Sequence, residues 1–245
     1  MTPTSEKRAP TWAILPVKQI GSAKQRLSNV LSNTERQELF RNMLGDVLAA
    51  VDDTTALQDL LIVTRDSEVR ELARKFGARV LVTDADQGQS VAVTEGAKLL
   101  STEGVKNIVT LAGDVPLMSA TEIDMICASM AAAPCMTLVP SRDDTGTNSI
   151  ACSPPHAIPF AFGAMSFPTH LRLAQEQGVD IKVLRLPAMA LDIDTAADLV
   201  SLLEYDATTA AQNYLLDSGI AARLERQGLT AEPSVRRIAS GGAVQ

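Results

Sequence analysis

Short apolar runs alternate with amphipathic helical patterns through the first 140 residues, and this alternation limits the possible folds more than any other feature. The run at residues 60–64 is apolar and unbroken, as a parallel strand buried on both faces requires. Seven apolar residues between positions 39 and 51 recur at the three- and four-residue spacing of one buried helix face. They are Leu39, Phe40, Met43, Leu44, Val47, Leu48 and Val51. This alternation predicts βαβ units with right-handed crossovers, and therefore an α/β domain with a mostly parallel sheet.

The same patterns predict the other elements. Strands are predicted over residues 12–17, 60–64, 79–83, 107–112, 135–139, 149–152 and 181–186, and a further strand leads into Asp192. Two capping boxes, Ser32-x-x-Glu35 and Ser119-x-x-Glu122, predict helix starts. We expect residues 1–10 to form a flexible leader and residues 11–206 to form a single domain. Residues 207–245 are expected to hold one amphipathic helix and a loose tail. This helix could support a homodimer, or it could pack against the core of its own chain.

The charge balance excludes a general nucleic-acid binder. The chain has 22 basic and 29 acidic residues, a net charge of −7, and only 3 % aromatic residues. Nonspecific binding to nucleic acids depends on a basic footprint, and single strands are bound on aromatic platforms. No apolar span is long enough for a membrane helix, and residues 1–10 lack the apolar core of a signal peptide. The protein is therefore expected to be cytoplasmic, with Cys127, Cys135 and Cys152 as buried apolar residues.

Two acidic motifs follow predicted strands. Asp114 stands in Leu-Ala-Gly-Asp-Val-Pro-Leu, and Asp192-x-Asp194 ends an apolar run before a helix start. In an open α/β sheet, the carboxyl ends of the strands form the ligand crevice. Carboxylates that meet there suit magnesium bound to nucleotide phosphates. A purely structural interpretation stays open, because Asp114 could cap a turn, and Asp194 or Thr195 could cap the following helix.

A basic loop follows the first predicted strand. It contains Lys18, Lys24 and Arg26 within twelve residues and carries no P-loop motif. Cations at this position could bind the oxygens of a triphosphate, with Arg able to bind them bidentately. The alternative is an ordinary solvated loop. Residues 83–90 are a candidate pocket for the base by position alone.

The irregular region after residue 140 contains two polar, glycine-bearing loops. One includes Thr147, and the other includes Gly163 and Ser166. Ser166 is predicted to be the N-cap of a helix whose N-terminus would favour an anion, although plain capping is equally compatible with the sequence. His156 and His170 have no metal-ligand spacing and are expected to be surface or hydrogen-bonded core residues.

Taken in order, these motifs resemble a known family. They are Ala23-Lys24-Gln25-Arg26-Leu27, Gly113-Asp114-Val115-Pro116-Leu117, Thr145-Gly146-Thr147, Phe162-Gly163-x-x-Ser166 and Leu191-Asp192-Ile193-Asp194-Thr195. The chain is similar to the guanylyltransferases of deazaflavin coenzyme F-420 biosynthesis over roughly residues 12–203. The resemblance implies a three-layer, GT-A-like nucleotidyltransferase fold. It also implies GTP and a phosphorylated three-carbon acid as substrates, the acid being 2-phospho-L-lactate, phosphoenolpyruvate or 3-phospho-D-glycerate.

The resemblance also implies roles for individual residues. Asp114, Asp192 and Asp194 match magnesium ligands. Lys18, Lys24 and Arg26 match a loop that binds the phosphates of GTP. A catalytic role is also expected for Lys24. Thr147, Gly163 and Ser166 match contacts to the acceptor acid. Asn148 and Ser149 depart from some relatives, which have apolar residues there.

Three other functions remain open from the sequence. A GT-A glycosyltransferase would also use an Asp-x-Asp motif. A molybdopterin-type guanylyltransferase would use the same nucleotide with a larger acceptor. A non-catalytic regulator would bind GTP and magnesium without forming a product.

Overall fold

One mixed sheet organises the chain. A computed structural model describes residues 9–83 and 88–229, and in this part of the chain seven strands pair in the order β3-β2-β1-β4-β6-β5-β7. They are β1 (Thr11–Pro16), β2 (Leu57–Val63), β3 (Arg79–Leu81), β4 (Asn107–Thr110), β5 (Cys135–Pro140), β6 (Thr147–Ser153) and β7 (Asp180–Val183). Of these strands β6 alone runs antiparallel, which confirms the predicted mostly parallel, mixed sheet.

Helices cover both faces of the sheet and make three layers. The described residues form α1 (Asn33–Asp52), α2 (Ser67–Lys75), α3 (Gln89–Thr102), α4 (Ala120–Ser129), α5 (Ser166–Glu176), α6 (Ala196–Glu204), α7 (Ala210–Asp217) and α8 (Ile220–Arg226). Successive side chains of β1 point to opposite faces. Ala13 and Leu15 belong to the buried cluster that contains the apolar face of α1, whereas Trp12 and Ile14 belong to the cluster that contains α3 and α5.

The predicted helix starts are confirmed. Ser32 and Glu35 form a reciprocal capping box on α1, and the Ser119 hydroxyl accepts the Glu122 N–H at 3.2 Å. Thr195 caps α6 in a capping box with Asp198, a capping role that the sequence allowed for Thr195. The three cysteines are buried, in agreement with the prediction.

The strand order creates a crevice where the function was expected. From β1 the chain proceeds to β2 and β3 on one side, and then returns to place β4 on the other side of β1. Such a reversal in strand order leaves room for a ligand beyond the carboxyl ends of the two central strands. The basic loop follows β1 and Asp114 follows β4, so both motifs lie at this switch point.

The predicted strand leading into Asp192 is wrong. After β7 the chain turns at residues 187–190 and crosses the carboxyl ends of the strands without joining the sheet. Its backbone instead bonds to neighbouring loops, since Ala190 O accepts the N–H of Arg142 and Ile193 N–H donates to the carbonyl of Asp114. Leu191 and Ile193 are buried, which explains why the apolar pattern looked like a strand.

Other predicted boundaries differ from the structure. The strand predicted over residues 181–186 ends at Val183. The tail contains two described helices rather than one, because Gly219 adopts φ 73° between α7 and α8. Both helices pack into the same core as α1. The homodimer stays a prediction.

Some expectations fall on residues that the structure does not describe. The leader at residues 1–8, residues 84–87 of the candidate base pocket and the tail from residue 230 lie outside the described residues. Within the described ranges, no helix has the length and apolar character needed to cross a membrane.

Candidate active site

A cleft of about 760 Å³ lies at the carboxyl ends of β1 and β4, a size within the range of about 300–1,000 Å³ that is usual for ligand sites. All nine residues singled out from the sequence line it. They are Lys18, Lys24, Arg26, Asp114, Thr147, Gly163, Ser166, Asp192 and Asp194. The fold therefore brings the basic loop, the acidic motifs and the glycine-bearing loops into one place, while the role of each residue stays a prediction.

Lys24 lies between two of the acidic residues. Its Nζ is 2.5 Å from Asp114 Oδ2 and 2.9 Å from Asp194 Oδ1, and its side chain is only 6 % exposed. Burial alone would lower the pKa of Lys24, but the two negative charges and their hydrogen bonds outweigh it and raise the pKa above its ordinary value. Lys24 is therefore a charged ammonium that joins the two acidic motifs.

The basic loop is fixed by its own short turns. Two 3-10 turns, Ile20–Ser22 and Gln25–Leu27, bury Ile20 and Leu27 in the core. The Ile20 N–H also donates to Asp66 Oδ2 at 2.9 Å. Lys24 adopts a left-handed conformation, with φ 52°, between these turns. This backbone conformation is rare for a residue with a side chain. It places the Lys24 ammonium between Asp114 and Asp194, and such local strain is typical of functional sites.

Asp194 and Asp192 are in different electrostatic surroundings. Burial would raise the pKa of Asp194, but Lys24 and Arg26 lower it below the ordinary value, and Arg26 Nη1 lies 3.1 Å from Asp194 Oδ2. Among the described residues no cation lowers the pKa of Asp192, and burial together with the charge of Asp114 raises it to about 6. Asn148 is its polar partner, since Nδ2 donates to Asp192 Oδ1 at 3.2 Å and to a main-chain carbonyl at 2.9 Å.

The acidic residues of the cleft fit a divalent cation only in part. In the described part of the chain no group of three or more His, Cys, Asp and Glu side chains is arranged to hold a metal ion. Asp114 and Asp192 nevertheless repel one another in a partly buried place. Magnesium is usually held by one or two carboxylates and the phosphates of its substrate. Asp114 and Asp192 fit that pattern. Lys24 is bonded to Asp114 Oδ2 and to Asp194 Oδ1, so both of these oxygens would become available to an ion only if Lys24 moved.

The other end of the cleft is built on a buried histidine. Ala161 N–H donates to His170 Nε2 at 2.9 Å, so the proton of the neutral ring is assigned to Nδ1, which lies 3.0 Å from Thr147 Oγ1. Burial lowers the pKa of His170 to about 4. His170 is therefore a neutral, hydrogen-bonded core residue that orients the hydroxyl of Thr147.

The predicted capping role of Ser166 is wrong. The N-cap of α5 is Met165, with φ 58°, and Ser166 is the first helical residue, whose N–H donates to the carbonyl of Gly163 at 3.1 Å. The turn that begins at Gly163, with φ 131°, starts the helix in place of a side-chain cap. Ser166 still lines the cleft.

Loss of the His170 imidazole is expected to change the pH dependence of stability. The pKa in the folded protein lies below the ordinary value of 6.5, so the unfolded chain takes up this proton first and stability falls as the pH drops from about 6.5 towards 4. Between pH 6 and pH 5 the effect is about 1 kcal/mol. Denaturant unfolding of His170→Gln should lack this decrease. His156→Gln, which changes an exposed histidine, should retain it, and equal slopes in both variants would contradict the assignment.

Sequence reasoning missed three residues that line the cleft and arrange it. They are Asn148, Arg142 and Asp198. The sequence marks Asn148 only as a departure from relatives, and Arg142 and Asp198 stand outside the motifs that carry the resemblance. The capping-box spacing Thr195-x-x-Asp198 was a signal for Asp198, but no local signal connects it with Arg142, 56 residues away.

Comparisons with known proteins agree on one family. The family model described as guanylyl transferase CofC-like matches residues 11–237. A phosphoenolpyruvate guanylyltransferase of Sphaerobacter thermophilus is 36 % identical over 196 residues, covering 78 % of this chain and 92 % of the relative. A 3-phospho-D-glycerate guanylyltransferase of Colwellia psychrerythraea is 32 % identical over 189 residues, covering 77 % and 89 %.

A solved structure supports the fold independently. A Desulfovibrio desulfuricans G20 protein assigned as a nucleotide-diphospho-sugar transferase superposes with a TM-score of 0.73, covering 91 % of this chain and 100 % of its own. At 15 % identity this likeness concerns the fold alone. It confirms the predicted three-layer nucleotidyltransferase fold.

Proposed function

The chain belongs to the CofC-like guanylyl transferase family, and we propose that it joins GMP from GTP to a phosphorylated three-carbon acid with release of pyrophosphate. The acceptor is 2-phospho-L-lactate, phosphoenolpyruvate or 3-phospho-D-glycerate, and the product serves coenzyme F-420 biosynthesis in the cytoplasm. The observation that supports this most is the single cleft in which Lys24 joins Asp114 to Asp194 and which Thr147 also lines.

The proposed chemistry is an in-line displacement at the α-phosphorus of GTP. An oxygen of the acceptor phosphate forms the new P–O bond as the bond to pyrophosphate breaks. Because a phosphate dianion is already a nucleophile, no general base is required. Catalysis then consists of positioning and neutralisation of charge.

Each part of the cleft has a role in this scheme. Lys18, Lys24 and Arg26 would bind the phosphates and stabilise the charge that grows on pyrophosphate. Thr147, Gly163 and Ser166 would bind the acceptor. Asp114, Asp192 and Asp194 would hold magnesium together with the nucleotide phosphates once Lys24 moves from Asp114 and Asp194 to the triphosphate. When bound, the ion would reduce repulsion between the two polyanionic substrates.

A pyrophosphate-release assay tests the proposal. GTP, ATP, CTP and UTP are each combined with the three phosphoacids in magnesium buffer. We expect release only with GTP and at least one of the acids, with a product whose mass equals that of the guanylylated acid. Absence of release in every combination, or transfer of a sugar from a nucleotide sugar without pyrophosphate, would refute it.

A further inference from the structure

An ion pair connects the β5–β6 hairpin with α6 across one side of the cleft. Arg142, in the hairpin loop, donates from Nη2 to Asp198 Oδ1 at 2.9 Å and from Nη1 to Ser201 Oγ at 3.1 Å. Its backbone N–H also donates to the carbonyl of Ala190 at 2.9 Å. The Arg142 and Asp198 side chains are 20 % and 10 % exposed. Arg142 thus bonds to α6 through its guanidinium and to the loop at residue 190 through its backbone N–H.

The two oxygens of Asp198 make separate connections. Oδ2 accepts the backbone N–H of Asp194 at 3.1 Å, the N–H of Thr195 at 2.7 Å and the Thr195 hydroxyl at 2.8 Å. These contacts by themselves complete the cap of α6. Oδ1 is not needed for capping, and it accepts from Arg142. Asp198 therefore places the backbone of Asp194 and also anchors a residue of the hairpin loop.

The hairpin loop continues this connection to the acceptor side. Ser141 N–H donates to the carbonyl of Gly146 at 3.0 Å, and Gly146 N–H donates back to Ser141 Oγ at 2.7 Å. A Cβ on Gly146 would lie 2.9 Å from Ser141 Oγ, so the Ser141 side chain packs directly against Gly146. Arg142 follows Ser141, and Thr147 follows Gly146. The loop is closed on itself, and a shift of Arg142 would shift Thr147.

We propose that Arg142 and Asp198 are a positioning pair for the transfer reaction, acting through Thr147 and Asp194. The pair sets the distance between the proposed acceptor site and the acidic residues that face the nucleotide. This inference rests on the proposed function. A misplacement of about 1 Å between reacting groups can cost about 10²-fold in rate, so a pair that touches neither substrate can still have a large effect on kcat.

The test uses Arg142→Met, Asp198→Asn, the double variant and a matched control. Arg185→Met is the control because it removes an arginine that pairs with Asp144 in the same loop, at an exposed place outside the cleft lining. For each full-length variant we would measure kcat, the KM for each substrate, GTP binding without acceptor by calorimetry, and amide hydrogen exchange. The first two single variants should lose about 10- to 100-fold in kcat and keep GTP affinity within about threefold. The control should stay within twofold of wild type.

The double variant and hydrogen exchange separate positioning from other roles. Because the residues act as a unit, the double variant should be no slower than the slower single variant. Losses that multiply, a fall in GTP affinity that parallels kcat, or a folded Arg142→Met with wild-type kcat would each overturn the proposal. Exchange at the amides of residues 190–195 should accelerate at least tenfold in Arg142→Met and not in Arg185→Met, and unchanged exchange would also overturn it.

These readouts distinguish two kinds of failure. Lack of pyrophosphate release by the wild type with every acid would defeat the proposed function. Hydrogen exchange needs no catalysis, so it reports the connection between the loop and the acidic segment in either case.

Discussion

Asp194→Ala is expected to reduce kcat at least about 10³-fold while the protein stays folded. The carboxylate binds both Lys24 and Arg26, so its loss frees Arg26 and removes one of the two carboxylates that hold Lys24. Loss of a single preorganised charge-stabilising group typically costs about 10²–10³ in rate, and this variant disturbs three. The fold should tolerate the change because the side chain is 38 % exposed and the backbone N–H of residue 194 keeps its bond to Asp198.

The measurement is pyrophosphate release in magnesium buffer together with thermal unfolding. Asp206→Ala serves as the control, because it removes an exposed aspartate outside the cleft lining. Its activity and melting temperature should match those of the wild type. If folded Asp194→Ala turned over at the wild-type rate, Asp194 would have no part in the chemistry and the assignment of the Asp192–Asp194 motif would be lost.

Most of the scaffold could be predicted because its signals are local. The periodicity of α1 and the apolar run of β2 each specify one element within about twenty residues of sequence. The position of the basic loop after β1 and of Asp114 after β4 also predicted a shared crevice, because loops after parallel strands meet at the same edge of a sheet. The prediction of a strand before Asp192 was wrong for the same reason, because it used only local signals. A buried segment that crosses the strand ends and a buried strand are equally apolar.

The electrostatic arrangement of the site could not be predicted. Lys24 meets Asp114 and Asp194, which lie 90 and 170 residues away, and no pattern within the loop indicates which carboxylates it will contact. The contact also depends on a left-handed residue that is not glycine. The sequence alone suggested three acidic residues around an ion opposite a basic loop. In the folded chain a lysine of that loop lies among the acidic residues.

Lys24→Met should therefore have two opposite effects, a loss of turnover and a gain in metal affinity. Turnover should fall about 10²–10³-fold, because the variant lacks a cation that would stabilise charge on the leaving pyrophosphate. In the nucleotide-free protein the ammonium neutralises Asp114 and Asp194, and its removal leaves both carboxylates available to a divalent ion. Two unit charges 4 Å apart interact by about 4 kcal/mol at an effective dielectric of 20, and about one third of that energy already corresponds to a tenfold change in affinity.

Binding of Mn²⁺ to the nucleotide-free protein, followed by electron paramagnetic resonance, checks the second effect. We expect at least about tenfold tighter binding for Lys24→Met than for wild type. Lys182→Met removes the same charge from an exposed position on β7 and should leave both Mn²⁺ affinity and turnover unchanged. Equal Mn²⁺ affinity in wild type and Lys24→Met would show that the ammonium does not compete with a metal for these carboxylates. Asp194 could then not be the third ligand of the proposed site, even if turnover fell as expected.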